Sequence, residues 1–110
     1  KQINVDSVMA VTNFSHYPFQ ALKINDKKII EPFWPEYISK RSTDLPKLVA
    51  GNGSTYAIKT ELFLKHKSFL LPENNYSYEM ESWRSLDLDN YDDLVLLESI
   101  ILKKPELLEN

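Results

Sequence analysis

The chain has no cysteine among its 110 residues, so a disulfide framework, a thiolate metal site and a thiol nucleophile are all excluded. Glycine is nearly as scarce. The two glycines, Gly51 and Gly53, flank Asn52, and nothing in the chain resembles the glycine-rich loop that cradles nucleotide phosphates. A basic excess is also missing: 13 lysines and arginines face 16 aspartates and glutamates, for a net charge of -3. With no basic cluster, a nucleic-acid surface is not expected. The apolar runs are far too short to span a bilayer, and no secretory signal is recognisable, which makes the cytoplasm the expected compartment. The sequons at Asn13, Asn52 and Asn75 then read as chance matches. Neither an internal repeat nor a low-complexity tract is present.

What remains is ordinary for a globular protein, with 43% hydrophobic and 26% charged residues. The length suits one domain or part of one. The first residue is Lys1, and the chain passes through Ile3-Asn4-Val5 into Val8-Met9-Ala10-Val11, which reads as a buried strand already under way. The expectation is a segment of a longer polypeptide.

Residues 7–12 are predicted to form a central strand, broken between Asn13 and Pro18 by turn-forming residues. Residues 20–25 and 28–33 read as a hairpin around Asn25-Asp26. From Pro32 to Pro46, three prolines, Trp34, Tyr37 and Lys40-Arg41 make an extended segment too apolar for a free linker, with aromatics suited to packing on another subunit. Ser54–Ile58 is a further strand candidate after Gly51-Asn52-Gly53, where Asn-Gly equally favours a hairpin turn. Thr60 is a candidate cap for a short helix containing Leu62, Phe63 and Leu64. Phe69-Leu70-Leu71 reads as a strand or extended arm. Asn90–Lys104 is the clearest helix: Leu94, Leu97 and Ile101 share a face, Asp92-Asp93 lie early and Lys103-Lys104 late, and Pro105 ends it. The order is mixed α/β.

Ser85-Leu86-Asp87-Leu88-Asp89 carries the most chemistry. On a short strand, Asp87 and Asp89 share one face while Leu86 and Leu88 point inward. A helix follows at once, and the junction of strand and helix is where open α/β sheets place ligands. Two adjacent carboxylates repel, and a divalent cation relieves that repulsion. The alternative is structural, with Asp89 or Asn90 capping the helix and Asp87 solvated.

Several separated motifs together resemble one family. Arg41-Ser42-Thr43-Asp44-Leu45-Pro46, Asn52-Gly53-Ser54-Thr55-Tyr56, Tyr78-Glu79-Met80 and Ser85-Leu86-Asp87-Leu88-Asp89 occur in the order and approximate spacing of the C-terminal half of the CMP-sialic acid synthetases. These are the acylneuraminate cytidylyltransferases, with bacterial relatives acting on legionaminic and pseudaminic acids. Ser7-Val8-Met9-Ala10-Val11 and His16-Tyr17-Pro18-Phe19-Gln20-Ala21-Leu22 fit the same family's middle strand and its His-x-Pro-x-Lys-type segment. The resemblance covers about residues 6–104.

It implies an α/β fold: the C-terminal part of a nucleotide-diphospho-sugar-transferase-like (Rossmann-like) three-layer fold. Residues 1–110 would be a single partial domain, with a dimerisation arm at about 20–50 and a homodimer as the assembly. The implied reaction transfers CMP from CTP to the anomeric hydroxyl of a nonulosonic acid, with release of pyrophosphate and a requirement for Mg²⁺, as in the making of bacterial surface polysaccharides. By resemblance Asp87 and Asp89 hold the metal, Arg41 meets the acid sugar, Asn52 and Gly53 form a substrate-contacting turn, and Tyr56 and Phe69 line the sugar pocket. For Phe69 a core role is the stronger reading from the residues alone. Two positions depart from the family pattern. Gln20 stands where a lysine is usual, and Thr43 where a glutamine is usual; both fall on the sugar side. The family's N-terminal phosphate loop has no counterpart here. The competing expectation, from another functional class, is a non-catalytic dimerisation or interaction module derived from that fold.

Overall fold

The computed structural model describes residues 4–108, so the opening stretch read from Lys1 to Ile3 lies outside the described residues. Two compact units emerge among the described residues, one formed by residues 4–12 with 51–108 and the other by residues 13–50.

In the first unit, β1 (Ser7–Asn13) is the middle of a three-stranded sheet, between β4 (Val49–Ile58) and β5 (Asn75–Glu79). Its β-branched and apolar run suits a central position: Ala10 and Val11 are buried, as is Leu71. β1 and β5 run parallel, in the register Ser7 to Asn75 through Val11 to Glu79, so their carboxyl ends lie at the same edge of the sheet. At the opposite end Ser7 is buried and donates through its hydroxyl to Asn75 Oδ1. The Asn75 amide is closed onto the backbone of Leu71, accepting from its N–H and donating to its carbonyl.

Three local expectations are corrected. β4 runs continuously through Gly51-Asn52-Gly53, so no hairpin turn forms there; Gly53, at φ 77°, absorbs the irregularity within the strand. Lys59, without a side-chain cap bond, precedes α1 (Thr60–His66), which leaves Thr60 as its first helical residue. Phe69–Leu71 forms no strand. Pro72 follows directly, and Ser68 Oγ pins the local turn by accepting from Leu70 N–H and donating to its carbonyl.

Just before β1, the Asp6 carboxylate takes Lys59 Nζ at 2.8 Å and Asn74 Nδ2 at 2.8 Å. The Lys59 bond chiefly, and then the Asn74 bond, hold the Asp6 pKa below the ordinary aspartate value; the same contact raises that of Lys59. A depressed carboxylate stabilises the folded state fully above its unfolded pKa and loses that contribution as pH falls through the folded pKa. Lys59 behaves oppositely: its contribution is complete below its unfolded pKa and is lost as pH rises through the raised one. Asp6→Asn is therefore expected to flatten the acid limb of the urea midpoint plotted against pH. Superimposable acid limbs in the two proteins would refute the coupling.

α2 (Tyr91–Lys103) begins with a reciprocal capping box: Asn90 Oδ1 accepts from Asp93 N–H, and the Asp93 carboxylate accepts from Asn90 N–H. Asp92 and Asp93 in the first turn and Lys103 in the last complement the helix dipole. Leu97 and Ile101 are half-buried and share a hollow of about 340 Å³ with Met80, Trp83, Arg84, Leu86 and Leu108. Past the helix end, Lys104 Nζ sits 4.1 Å above the Trp83 ring, while the Arg84 guanidinium lies 4.6 Å from the same indole.

The second unit holds the hairpin read from the sequence: β2 (Leu22–Ile24) pairs antiparallel with β3 (Ile30–Pro32). Asn25 organises the loop, its side-chain oxygen accepting from Lys27 and Ile29 N–H while Lys28 takes φ 64°. The stretch expected to be merely extended contains two 3-10 turns, Pro35–Tyr37 and Ser42–Asp44. Phe19 is the hub of an aromatic cluster, 4.6 Å from Tyr37, 5.8 Å from Tyr17 and 6.1 Å from Trp34. Since such pairs add about 0.5–1.5 kcal/mol each beyond area burial, Phe19→Ala is expected to cost about 2–3 kcal/mol in this unit. The near-ultraviolet circular dichroism of its melting is the measurement; an unchanged melting profile would show the cluster to be ornamental.

Candidate functional site

The Asp87–Asp89 segment follows β5 after an intervening turn. A 3-10 turn (Ser82–Arg84) closes on Ser85, whose N–H donates to the Ser82 carbonyl, and the chain then runs irregularly to Asn90. The strand expected at 85–89 does not form. The reason is local: the Asp93 carboxylate captures both Asp89 N–H, at 2.9 Å, and Asn90 N–H, at 3.1 Å, drawing these donors into the helix cap. Leu86 is half-buried, whereas Leu88 is 54% exposed instead of facing inward. Of the two candidate caps, Asn90 takes the role. Asp87 and Asp89 are both exposed, and among the described residues their carboxylates have no hydrogen-bond or ion-pair partner. Asp89 borders a shallow hollow with Leu88, Asn90, Tyr91 and Leu94. Two unneutralised, water-accessible carboxylates suit Mg²⁺, which takes hard oxygen ligands and retains waters or phosphate oxygens at its other positions. Among the described residues no group of three or more histidines and carboxylates gathers into a ready-made cage.

The other candidates in this unit fall into two groups. Asn52 reaches the start of the acidic segment: its Nδ2 donates to Ser85 Oγ at 3.1 Å and to Met80 Sδ at 3.2 Å. Its Oδ1 accepts from Ser54 N–H at 3.0 Å and from Ser54 Oγ at 2.8 Å. Gly53 beside it has open space where a Cβ would stand, so its constraint is backbone conformation alone. Tyr56 and Phe69 meet with centroids 5.2 Å apart, and Phe63 of α1 completes the group at 4.9 Å from Phe69. Tyr56 and Phe69 remain 43% and 45% exposed, so the cluster has a face open to a ligand as well as one turned inward. At the carboxyl end of β1, Thr12 Oγ1 is buried with no hydrogen-bond partner among the described residues.

Gln20 and Arg41 belong to the second unit. Gln20 lines a hollow of about 520 Å³ with Phe14, His16, Tyr17, Pro18, Ala21 and Trp34. Its Nε2 donates to the Lys40 carbonyl at 3.5 Å, and the Tyr17 hydroxyl donates to the Pro46 carbonyl. Arg41 is highly exposed and pairs with Asp44 at 3.4 Å.

Sequence reading did not single out Ser85, Met80 or Phe63 as site residues. Ser85 and Met80 lie inside quoted motifs, but only the fold shows that Asn52 reaches them. Phe63 was assigned to a helix without a partner. No protein-family model and no curated protein matches the chain.

Proposed function

We propose that the chain is the C-terminal portion of a cytidylyltransferase of the CMP-sialic acid synthetase type, one that transfers CMP from CTP to a nonulosonic acid. The observation carrying this reading is the pair of exposed, unpartnered carboxylates, Asp87 and Asp89, in the segment following β5. The chain reaches that segment from the carboxyl end of β5, beside that of parallel β1, the end at which open α/β sheets hold nucleotides. The orphaned Thr12 hydroxyl adds a polar demand at the end of β1. On this reading the elements belong to a Rossmann-like three-layer fold of the nucleotide-diphospho-sugar-transferase type, and residues 20–50 are the arm of a homodimer.

Asp87 and Asp89 would hold Mg²⁺, which when bound supplies charge neutralisation for the phosphates of CTP. The sugar's anomeric hydroxyl oxygen would form the new bond to the α-phosphorus while its proton passes to solvent, the bond to the β-phosphate oxygen would break, and pyrophosphate would leave. Within its own unit, Arg41 would exchange Asp44 for a carboxylate ligand. An exposed pair of this kind is worth at most about 1 kcal/mol, so the exchange costs little. Tyr56 and Phe69 would present an aromatic wall to the sugar.

A non-catalytic dimerisation module is the second reading, favoured by the exposed apolar side chains of residues 13–50, Ile24, Ile29, Ile30 and Phe33 among them. Pyrophosphate release from CTP and Mg²⁺ with a panel of nonulosonic acids, by a longer polypeptide carrying this chain, separates them. Turnover supports the enzyme, and inactivity across the panel supports the module.

A further inference from the structure

We infer that Asn52 is a positioning residue: it brackets the acidic segment to β4 through Ser85 and is not itself a contact to substrate. The inference rests on the reading of Asp87 and Asp89 as a metal pair. All four hydrogen-bonding positions of the Asn52 amide are engaged within the chain, two on Ser54, one on Met80 and one on Ser85. An amide so committed has nothing left to offer a ligand.

Its bonds fall where a bracket is needed. Ser85 is the last residue tied to regular structure before the acids: its hydroxyl accepts from Asn52 and donates to the Glu81 carbonyl at 3.0 Å, and its N–H closes the 3-10 turn. Met80, the other partner, is fixed by its N–H to the Val11 carbonyl at 2.8 Å. At the far end, Asp89 and Asn90 are held by the α2 cap. The three residues 86–88 are thus suspended between two anchors, one the Asn52–Ser85 bond and the other the Asp93 carboxylate that holds Asp89. Gly53, at positive φ, stands between Asn52 and Ser54 where Ser54 folds back onto the Asn52 side chain. Fixing the ligand-bearing backbone is how outer-shell groups tune metal sites.

The test uses the 110-residue chain labelled with ¹⁵N, with Mn²⁺ as a paramagnetic probe. Ser85→Ala removes the acceptor, Ser85→Thr restores a hydroxyl, and Asn52→Ala removes the donor. The expected result has two parts. The amides of residues 86–89 show lower heteronuclear NOE values in Ser85→Ala and Asn52→Ala but not in Ser85→Thr, while those of β1 and β5 are unchanged. Mn²⁺ broadening near Asp87 and Asp89 then needs about tenfold more metal in the two alanine variants. Unchanged order at 86–89 in Ser85→Ala overturns the bracket whatever the metal does, and Ser85→Ala retains the fold if Asn52→Ala does not. Loss of order in the alanine variants with no Mn²⁺ broadening in the unaltered chain keeps the bracket and removes the metal reading instead.

Discussion

Given CTP, Mg²⁺ and a panel of nonulosonic acids, the 110-residue chain is expected to release no pyrophosphate, while the longer polypeptide proposed to contain it turns over. Nucleotidyl transfer depends on positioning and on neutralising phosphate charge. This chain has two glycines, both in β4, and no loop to cradle a triphosphate. In the longer polypeptide, Asp87→Asn or Asp89→Asn is expected to lower kcat/KM by about 10²–10³-fold, the scale seen on removal of one electrostatic stabiliser. Because both side chains are exposed and unpartnered, the substitutions should leave the melting temperature unchanged. Pyrophosphate release by the 110 residues alone would mean that they hold a nucleotide site of another design. Full activity in both asparagine variants would remove the metal role.

The second large effect concerns assembly. Within residues 13–50 no side chain is buried, yet Ile24, Ile29, Ile30 and Phe33 are each 56–66% exposed. Ile24 and Ile30 are cross-strand partners in β2–β3, and a two-fold contact between identical copies is the commonest way to cover exposed apolar side chains gathered in this way. Light scattering is expected to give the mass of two 12.9 kDa chains. Ile24→Lys combined with Ile29→Glu should weaken association at least about thirtyfold, the equivalent of one hot-spot side chain, without touching the aromatic cluster around Phe19. A monomer at high concentration would overturn the proposal.

Much of the secondary structure could be read from the residues, because each of the readable elements carries its own local cause. β1 follows from its β-branched run, the β2–β3 hairpin from Asn25, and α2 from its apolar face, Asn90 and Pro105. The errors fall where distant partners decide. Asn52-Gly53 has turn chemistry, but in β4 the Asn52 amide is spent on Met80 and Ser85, twenty-eight and thirty-three residues away. Ser85–Asp89 alternates like a strand, yet the Asp93 carboxylate takes the N–H groups at its end for the helix cap. In the candidate site, the acids could be picked out as residue types, whereas their anchoring by Asn52 exists only once β4 lies beside the Ser82–Arg84 turn. The meeting of Tyr56 with Phe69 is likewise a product of the fold.

The two tryptophans divide between the units, Trp34 in residues 13–50 and Trp83 in the sheet-bearing part. Each unit therefore contains one tryptophan, which can be excited at wavelengths where the tyrosines do not absorb. Trp34→Phe leaves an emission that reports only on the indole flanked by Arg84 and Lys104, and Trp83→Phe leaves one that reports only on the aromatic cluster around Phe19. Denaturation followed in these two single-tryptophan proteins would show directly whether the halves unfold together or in succession.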